Sequence, residues 1–338
     1  MKNIGNGRKS AILLTGGCGY IGVHCLLELL SNRNEDIIIV DNLSNSTIDN
    51  MDKIRDIGNV TFYNIDITNE ENMMDVFNKH NISTVMHFAG YKSVSKSVEN
   101  HLKYYNNNIG GLLVLLNCMK ENKVNKIIFS SSATVYGNPK SLPITEKDEI
   151  DILNPYGRTK YISEEILKDI SNSDKNFKSV ILRYFNPVAN HHLLKENSKF
   201  VTNLFPVIMS VINGDREYLK IFGKDYVTND GTAIRDYIHV VDLAKGHLAA
   251  LNYIDKMENH FEVFNLGTGK GYSVLEVVNS FTRILNEPFL KYKSFNYKFE
   301  ERREGDAAEV YADCKKAKEI LNWEARLTLE DMVHDCLN

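Results

Sequence analysis

An apolar run over residues 11–15 leads straight into Gly16-Gly17-Cys18-Gly19-Tyr20-Ile21-Gly22, and a helical pattern follows over residues 21–30. Strand, glycine turn and helix in that order leave few folds open. Gly16 permits a tight turn, Gly19 lets backbone approach a pyrophosphate, and Gly22 lets the helix pack closely on its strand. The unpaired N–H groups at the helix start suit phosphate oxygens. A glycine turn alone is weak evidence, but here Asp41 closes the next apolar run, about 20 residues beyond Gly22. A carboxylate there can accept hydrogen bonds from an adenosine ribose and would repel a 2′-phosphate. NAD is therefore expected rather than NADP.

The alternation continues through the first half. Strands are predicted over residues 37–40, 60–63, 84–88, 126–130 and 179–184, and helices over residues 70–78, 102–120 and 155–170. Such an order implies an α/β fold with a Rossmann-type, doubly wound parallel sheet, covered on both faces and binding its ligand at the carboxyl ends of the strands. After Phe185 the rhythm changes. Residues 186–198 are polar and irregular, and later strands are short, near residues 219–222 and 261–266. The expected division is a dinucleotide-binding domain over residues 1–185 and a smaller α/β C-terminal substrate-binding domain over residues 186–338. The segment 236–250, strand-like and then helical, could return to the first.

At 338 residues with 43% hydrophobic content, the chain suits one large or two closely joined domains. A net charge of -4, with lysines dispersed among acids, argues against a nucleic-acid partner. No apolar run is long enough to span a membrane, and residues 1–10 lack a signal peptide's apolar core. The five cysteines (Cys18, Cys25, Cys118, Cys314 and Cys336) are scattered and lack metal-ligand spacing. Reduced thiols, a cytoplasmic location and no metal are the expectations. His191-His192, an adjacent pair in a polar loop, is not read as a metal site.

Tyr-x-x-x-Lys occurs three times, at Tyr136/Lys140, Tyr156/Lys160 and Tyr311/Lys315. Gly137 and Pro139 make the first a turn, and the third lies far from any nucleotide signature. The second follows Asn154, suited to a helix N-cap, and Pro155, suited to the first helical position. At i and i+4 its side chains share a face. Tyrosine is a poor base in water, with a pKa of about 10. Lowering that by about three units takes roughly 4 kcal/mol. A lysine ammonium and a cationic nicotinamide in a partly dried cleft can supply it. The pair points to proton removal from an alcohol coupled to hydride transfer.

Leu102, Tyr105, Ile109, Leu112, Leu116 and Met119 form one apolar stripe, and Ile162, Ile166 and Ile170 another. Such stripes usually face their own sheet. Both helices carry further apolar positions, which leaves room for a second buried face, as in a homodimer.

Together with Ser130-Ser131-Ser132-Ala133-Thr134-Val135-Tyr136-Gly137 and the segment from Asn154 to Lys160, these motifs resemble the extended short-chain dehydrogenase/reductase family. His87-Phe88-Ala89-Gly90-Tyr91-Lys92, Leu182-Arg183-Tyr184-Phe185-Asn186-Pro187, the run 225–239 and Arg302-Arg303-Glu304-Gly305-Asp306 tighten the match to its UDP-hexose 4-epimerase branch. The resemblance implies Tyr156 as base, Ser132 as its hydrogen-bonding helper, and Lys160 on the nicotinamide ribose and the tyrosine. It implies NAD contacts from Gly16, Gly19, Tyr20, Ile21 and Gly22, from Asp41, Asn42, Asp66 and Ile67, and from Phe88, Ala89, Lys92, Asn107 and Tyr184, besides the catalytic pair. For the UDP-sugar it implies Ser132, Tyr156, Phe185, Asn186, Asn203 and Leu204, then Phe222, Arg235, Arg303, Asp306 and Val310. Two arginines can neutralise a pyrophosphate through paired hydrogen bonds, although each, taken alone, better fits an ordinary surface or structural role. The linker between Asn186 and Asn203 is shorter than in bacterial relatives, and Thr202 replaces one of two adjacent asparagines.

The activity so implied is reversible inversion at carbon 4 of UDP-glucose and UDP-galactose, as in galactose metabolism. Tyr156 takes the 4-hydroxyl proton while a hydride passes to NAD; the 4-keto sugar turns about its pyrophosphate and regains the hydride on its other face. Dehydratases of the same family place Asp-Glu after the helper hydroxyl, whereas Ala133-Thr134 follows Ser132 here. A non-catalytic NAD-binding protein would be expected to lose the tyrosine or the lysine. The family uses the position four beyond the motif's aspartate as a size gate. Val310 stands there, so N-acetylated UDP-hexoses are expected as substrates too.

Overall fold

The computed structural model describes residues 9–54, 57–194, 203–286, 295–303 and 306–337. Thr202, with Glu304 and Gly305 of the arginine motif, lies outside the described residues. The chain divides into two compact units, one of residues 1–131, 154–182 and 250–262, the other of residues 132–153, 183–249 and 263–338. Among the described residues no helix is long and apolar enough to cross a membrane.

Seven strands share one sheet: β1 (Ser10–Thr15), β2 (Asp36–Asp41), β3 (Val60–Asn64), β4 (Asn81–His87), β5 (Lys126–Ser132), β6 (Lys178–Tyr184) and β7 (Phe261–Leu266). Their order is β7-β6-β5-β4-β1-β2-β3. β1 runs parallel to β2 and β4, β2 to β3, and β4 to β5. This is the doubly wound sheet expected from the alternation. Ile12, Leu13 and Leu14, like Ile37, Ile38 and Ile39, are each 1% exposed or less. Neighbouring residues of a strand face opposite ways, so both faces of the sheet are covered. The strand order reverses between β1 and β4, the place where such sheets take ligands. The glycine turn leaves β1 there and Phe88-Ala89 leaves β4. The strand over residues 261–266, grouped above with the later portion, is hydrogen-bonded to β6 at the sheet's edge.

Two helical expectations need correction. Residues 101–121 are helical, but Tyr105–Gly110 forms a π-helical turn. The wider turn rotates the inward face. Tyr104 and Asn108 are buried, Tyr105 and Ile109 are half-buried, and Leu102 is 69% exposed. Only Leu112, Leu116 and Met119 of the apolar stripe are buried. On the helix Pro155–Ser173, Ile162, Ile166 and Ile170 are also only half-buried. Its inward face is largely polar: Tyr156, Thr159, Lys160, Ser163 and Glu164.

In the second unit, Asn186–Val188 pairs with Tyr237–His239, and Leu219–Phe222 pairs with Tyr297–Glu300. Ile234–Arg235 lies between Tyr272–Ser273 and Glu309–Val310. Phe205, Ile208, Leu219, Ile221, Phe281 and Met332 belong to the core beneath them. These short pairings set Phe222, Arg235 and Val310 at strand ends.

Candidate active site

The glycine turn has no room for side chains at its two ends. Gly16 has a φ of +71°, and a Cβ there would lie 2.6 Å from the Ala89 backbone nitrogen. A Cβ on Gly22 would lie 2.4 Å from the Gly16 carbonyl oxygen. Gly19 stands at the N-cap of the helix Tyr20–Asn32, where no side chain caps the helix and no acidic residue occupies its first turn. Its N-terminal N–H groups thus face outward without a built-in anion. Cys18 is buried, and burial, with the Asp41 charge, pushes its thiol up to about 12, as suits a packing residue.

Asp41, 8% exposed, already accepts hydrogen bonds from Cys18 N–H (3.1 Å), Leu43 N–H (2.9 Å) and Ser46 Oγ (3.0 Å). A carboxylate has about four acceptor positions, so capacity remains for a sugar hydroxyl. Its grip on Cys18 also ties β2 to the glycine turn. Asn42 donates to Asp66 at 2.8 Å, and Thr68 donates to the other Asp66 oxygen through N–H (2.9 Å) and hydroxyl (2.6 Å). Burial works against the Asp66 charge, but these bonds outweigh it and hold the carboxyl below its usual range. Ile67 is buried so close to Gly111 that a Cβ on the glycine would meet its Cδ1 at 2.3 Å.

Asn108 was missed from the sequence. It is 4% exposed, and its Oδ1 accepts from Tyr91 N–H (2.8 Å) and from Asn107 Nδ2 (2.9 Å). Its Nδ2 donates to the Tyr91 carbonyl (3.1 Å) and to Thr159 Oγ1 (3.0 Å). The π-turn therefore fastens the segment carrying Phe88, Ala89 and Lys92 to the helix carrying Tyr156. Lys92 Nζ stands 5.8 Å from the Tyr20 ring centre.

Asn154 caps the helix Pro155–Ser173 by accepting from Gly157 N–H at 2.8 Å, as its sequence position predicts. Tyr156 is buried, and its backbone N–H donates to Ser97 Oγ at 3.1 Å. Lys160 is buried too; its Nζ lies 6.0 Å from the Tyr156 ring centre and donates to the Ser130 carbonyl at 2.6 Å. Burial pushes the Lys160 ammonium down to about 8, opposed by the Glu164 carboxylate. Neighbouring His87 is pushed down to about 3 by burial and by the Lys160 charge, so it is neutral. The other two tyrosine–lysine pairs differ. Tyr136 is buried against Arg183 and Asn265, while Lys140 pairs with Glu149 at the surface. Lys315 is exposed and pairs with Asp313.

In the second unit, Ser132 ends β5. Its Oγ accepts from Thr134 N–H (3.2 Å) and Thr134 Oγ1 (2.9 Å), which leaves its own proton to donate. The Tyr184 hydroxyl and His247 Nε2 are 2.5 Å apart, and burial pushes that histidine down to about 4. Phe185 and Asn186 are held by their N–H groups, to the Leu266 carbonyl (3.2 Å) and the Asp236 carbonyl (2.9 Å). Asn203 is exposed at the N-cap of the helix Leu204–Ile212 with no capping bond from its side chain, and Leu204 packs on the core.

The adjacent arginines part ways. Arg302 Nε binds Asp225 at 2.7 Å and its guanidinium stacks 4.2 Å from the Tyr226 ring centre. Arg303 lies 3.9 Å from the Phe222 ring centre, and Arg235 Nη2 is 4.0 Å from Asp306 Oδ1. Half-buried Val310 pairs in register with Arg235. Asp236, also missed, is 1% exposed and accepts from Thr268, Gly269 and Ala312. Burial pushes its carboxyl up to about 6 against those bonds. It locks the strand on which Arg235 sits. Among the described residues no cluster could hold a metal ion.

A doubly wound sheet, a glycine turn at its reversal point and a buried Tyr-x-x-x-Lys pair together define a short-chain dehydrogenase/reductase. The family profile described as GDP-mannose 4,6 dehydratase matches residues 13–336. The UDP-glucose 4-epimerase of Dictyostelium discoideum is 45% identical, over 96% of this chain and 94% of its own. That of Bacillus subtilis is 44% identical, over 96% and 95%. The crystal structure of UDP-glucose 4-epimerase from Bifidobacterium longum, in complex with NAD+ and UDP, matches with a TM-score of 0.90 at 45% identity, covering 97% of both chains. The UDP-Glc/GlcNAc 4-epimerase of Campylobacter jejuni matches at 0.83 and 35%, covering 97% and 98%. The chain belongs to this family, the extended short-chain dehydrogenase/reductases, in its UDP-glucose 4-epimerase branch.

Proposed function

We propose that the chain catalyses reversible, NAD-dependent inversion at carbon 4 of UDP-glucose and UDP-galactose through a 4-keto sugar. The observation that carries this reading is the buried Tyr156–Lys160 pair, with the ammonium 6.0 Å from the phenol ring. The residues present fit NAD: a turn too tight for any Cβ at Gly16 or Gly22, an uncapped helix start at Gly19, and acceptor capacity left on Asp41. Those residues would hold it together with Asn42, Asp66, Ile67, Lys92, Asn107 and Tyr184. When bound, NAD supplies an acceptor that takes a hydride and returns it.

The chain's own residues handle the proton and the sugar. Tyr156 removes the 4-hydroxyl proton, keeps it while the ketone exists, and gives it back to the inverted product. Lys160 favours the phenolate by its charge. Ser132 donates a hydrogen bond to the reacting oxygen. Arg235 and Arg303 neutralise the pyrophosphate, with Phe222 stacked on Arg303 to fix its plane. Asn186, Asn203, Leu204, Phe185 and Asp306 complete the nucleotide grip. Binding energy concentrated on UDP leaves the hexose free to turn. Although the family profile is named for a dehydratase, Ala133-Thr134 after Ser132 offers no acid or base for eliminating water.

Incubation of the purified protein with UDP-galactose, without added reductant, is expected to yield UDP-glucose with no net NADH. Production of stoichiometric NADH, or no conversion, would refute the reading. We assign a broader range as well: a side chain as small as that of Val310 at the gate position suits a 2-acetamido group, so UDP-GlcNAc and UDP-GalNAc are assigned as substrates too. Val310→Tyr is expected to cut that activity more than about tenfold while sparing UDP-galactose. Equal N-acetyl activity in the variant would reject the gate.

A homodimer is also proposed. Val98 (60% exposed), Leu102 (69%) and Leu113 (46%), with half-buried Ile162 and Ile166, form apolar surface on packed helices of the first unit. Light scattering should give twice the monomer mass. The five free cysteines fit a reducing compartment, and we assign the activity to the cytoplasm.

A further inference from the structure

Resting on the reading above, we propose that Glu164 is a positioning residue that keeps the Lys160 ammonium charged beside Tyr156. Tyr156, Lys160 and Glu164 succeed one another at four-residue steps on the buried face of one helix. Lys160 is 6% exposed and Glu164 is 1% exposed. A buried ammonium without a counter-charge answers by releasing its proton. A neutral amine would remove the charge on which the phenolate depends.

The groups facing Lys160 narrow the choice. From β5 come the Ser130 carbonyl, 2.6 Å from Nζ, and the Phe129 ring, 4.9 Å from it; neither is charged. From β4 comes His87, held by Thr15 at 2.6 Å and neutral. Its own helix supplies Tyr156 and Glu164. Among the described residues that face Lys160, Glu164 is thus the sole carboxylate, and its charge opposes the effect of burial on the lysine. Ser131 fixes that carboxylate in turn, donating to Oε1 at 2.5 Å. Successive residues of β5 therefore anchor successive turns of the helix, Ser130 through its carbonyl and Ser131 through its hydroxyl.

Glu164→Gln keeps the size and an oxygen for Ser131 but removes the charge. As pH rises, Lys160 should then lose its proton earlier. The alkaline limb of kcat for UDP-galactose is expected to move about one pH unit toward lower pH, with KM unchanged. Glu164→Asp, which keeps the charge, should return the limb toward the wild-type position. An inactive wild type would refute the functional reading itself; an active wild type whose limb coincides with that of Glu164→Gln would overturn the role given to Glu164. Thermal melting reads the same coupling without turnover. Lys160→Met and Glu164→Gln each strand one buried charge, so each should melt below wild type, and the double variant should recover most of the loss. A double variant that loses the sum of the two would overturn the proposal even if the single variants prove too unstable to assay.

Discussion

Tyr156→Phe is expected to retain NAD and to lose turnover by about 10²- to 10⁴-fold, the range that a positioned proton-transfer group contributes. The substitution deletes one oxygen and little else. The ring remains buried, its backbone N–H still donates to Ser97, and Asn154 still caps the helix. Lys160 keeps its bond to the Ser130 carbonyl, so the neighbouring charge stays in place. The acceptor for the 4-hydroxyl proton disappears. Turnover of UDP-galactose and NAD content after gel filtration are the paired measurements. Wild-type turnover would move the proton transfer to another group, whereas loss of NAD together with activity would give Tyr156 a cofactor-holding role instead.

Legibility of the chain followed a physical divide. Strands buried on both faces appear as unbroken apolar runs, so β1 and β2 could be read within a residue of their ends. The start of the tyrosine helix was legible for a local reason as well, since Asn154 and Pro155 act within one turn. What escaped depends on inward rotation of polar groups. The π-turn over Tyr105–Gly110 shifts the buried face, and nothing in Asn106-Asn107-Asn108 tells which asparagine turns inside. The family resemblance concerns Asn107 and an NAD contact; the burial of its neighbour Asn108 had no signal of its own. Glu164 looks like any carboxylate on a helix surface, and the hydroxyl of Ser131 that meets it inside comes from a distant strand. Arg302 and Arg303 are indistinguishable as neighbours. Asp225 claims the first, and the ring of Phe222 receives the second.

Gly16→Ala should damage the protein more than its single added methyl group suggests, by about 3–4 kcal/mol, with loss of retained NAD. Two costs combine. An L-residue in the left-handed region loses about 1–2 kcal/mol, and Gly16 has a φ of +71°. The new Cβ would also stand 2.6 Å from the Ala89 nitrogen and 2.8 Å from its Cα. Those atoms belong to the backbone leaving β4, so no rotamer change relieves the contact; the turn or the strand end must move. Either movement displaces the N–H groups at the start of the helix Tyr20–Asn32. Gly110→Ala supplies the control, because nothing lies within 4 Å of a Cβ there and the φ of -58° is helical. That change should be neutral or stabilising by about 0.5–1 kcal/mol. Urea unfolding of both variants, with NAD content measured alongside, separates steric closure of the turn from a general intolerance of added methyl groups. If Gly16→Ala matched Gly110→Ala in both measurements, the close approach between the β1 turn and the end of β4 would not be what shapes the dinucleotide cradle.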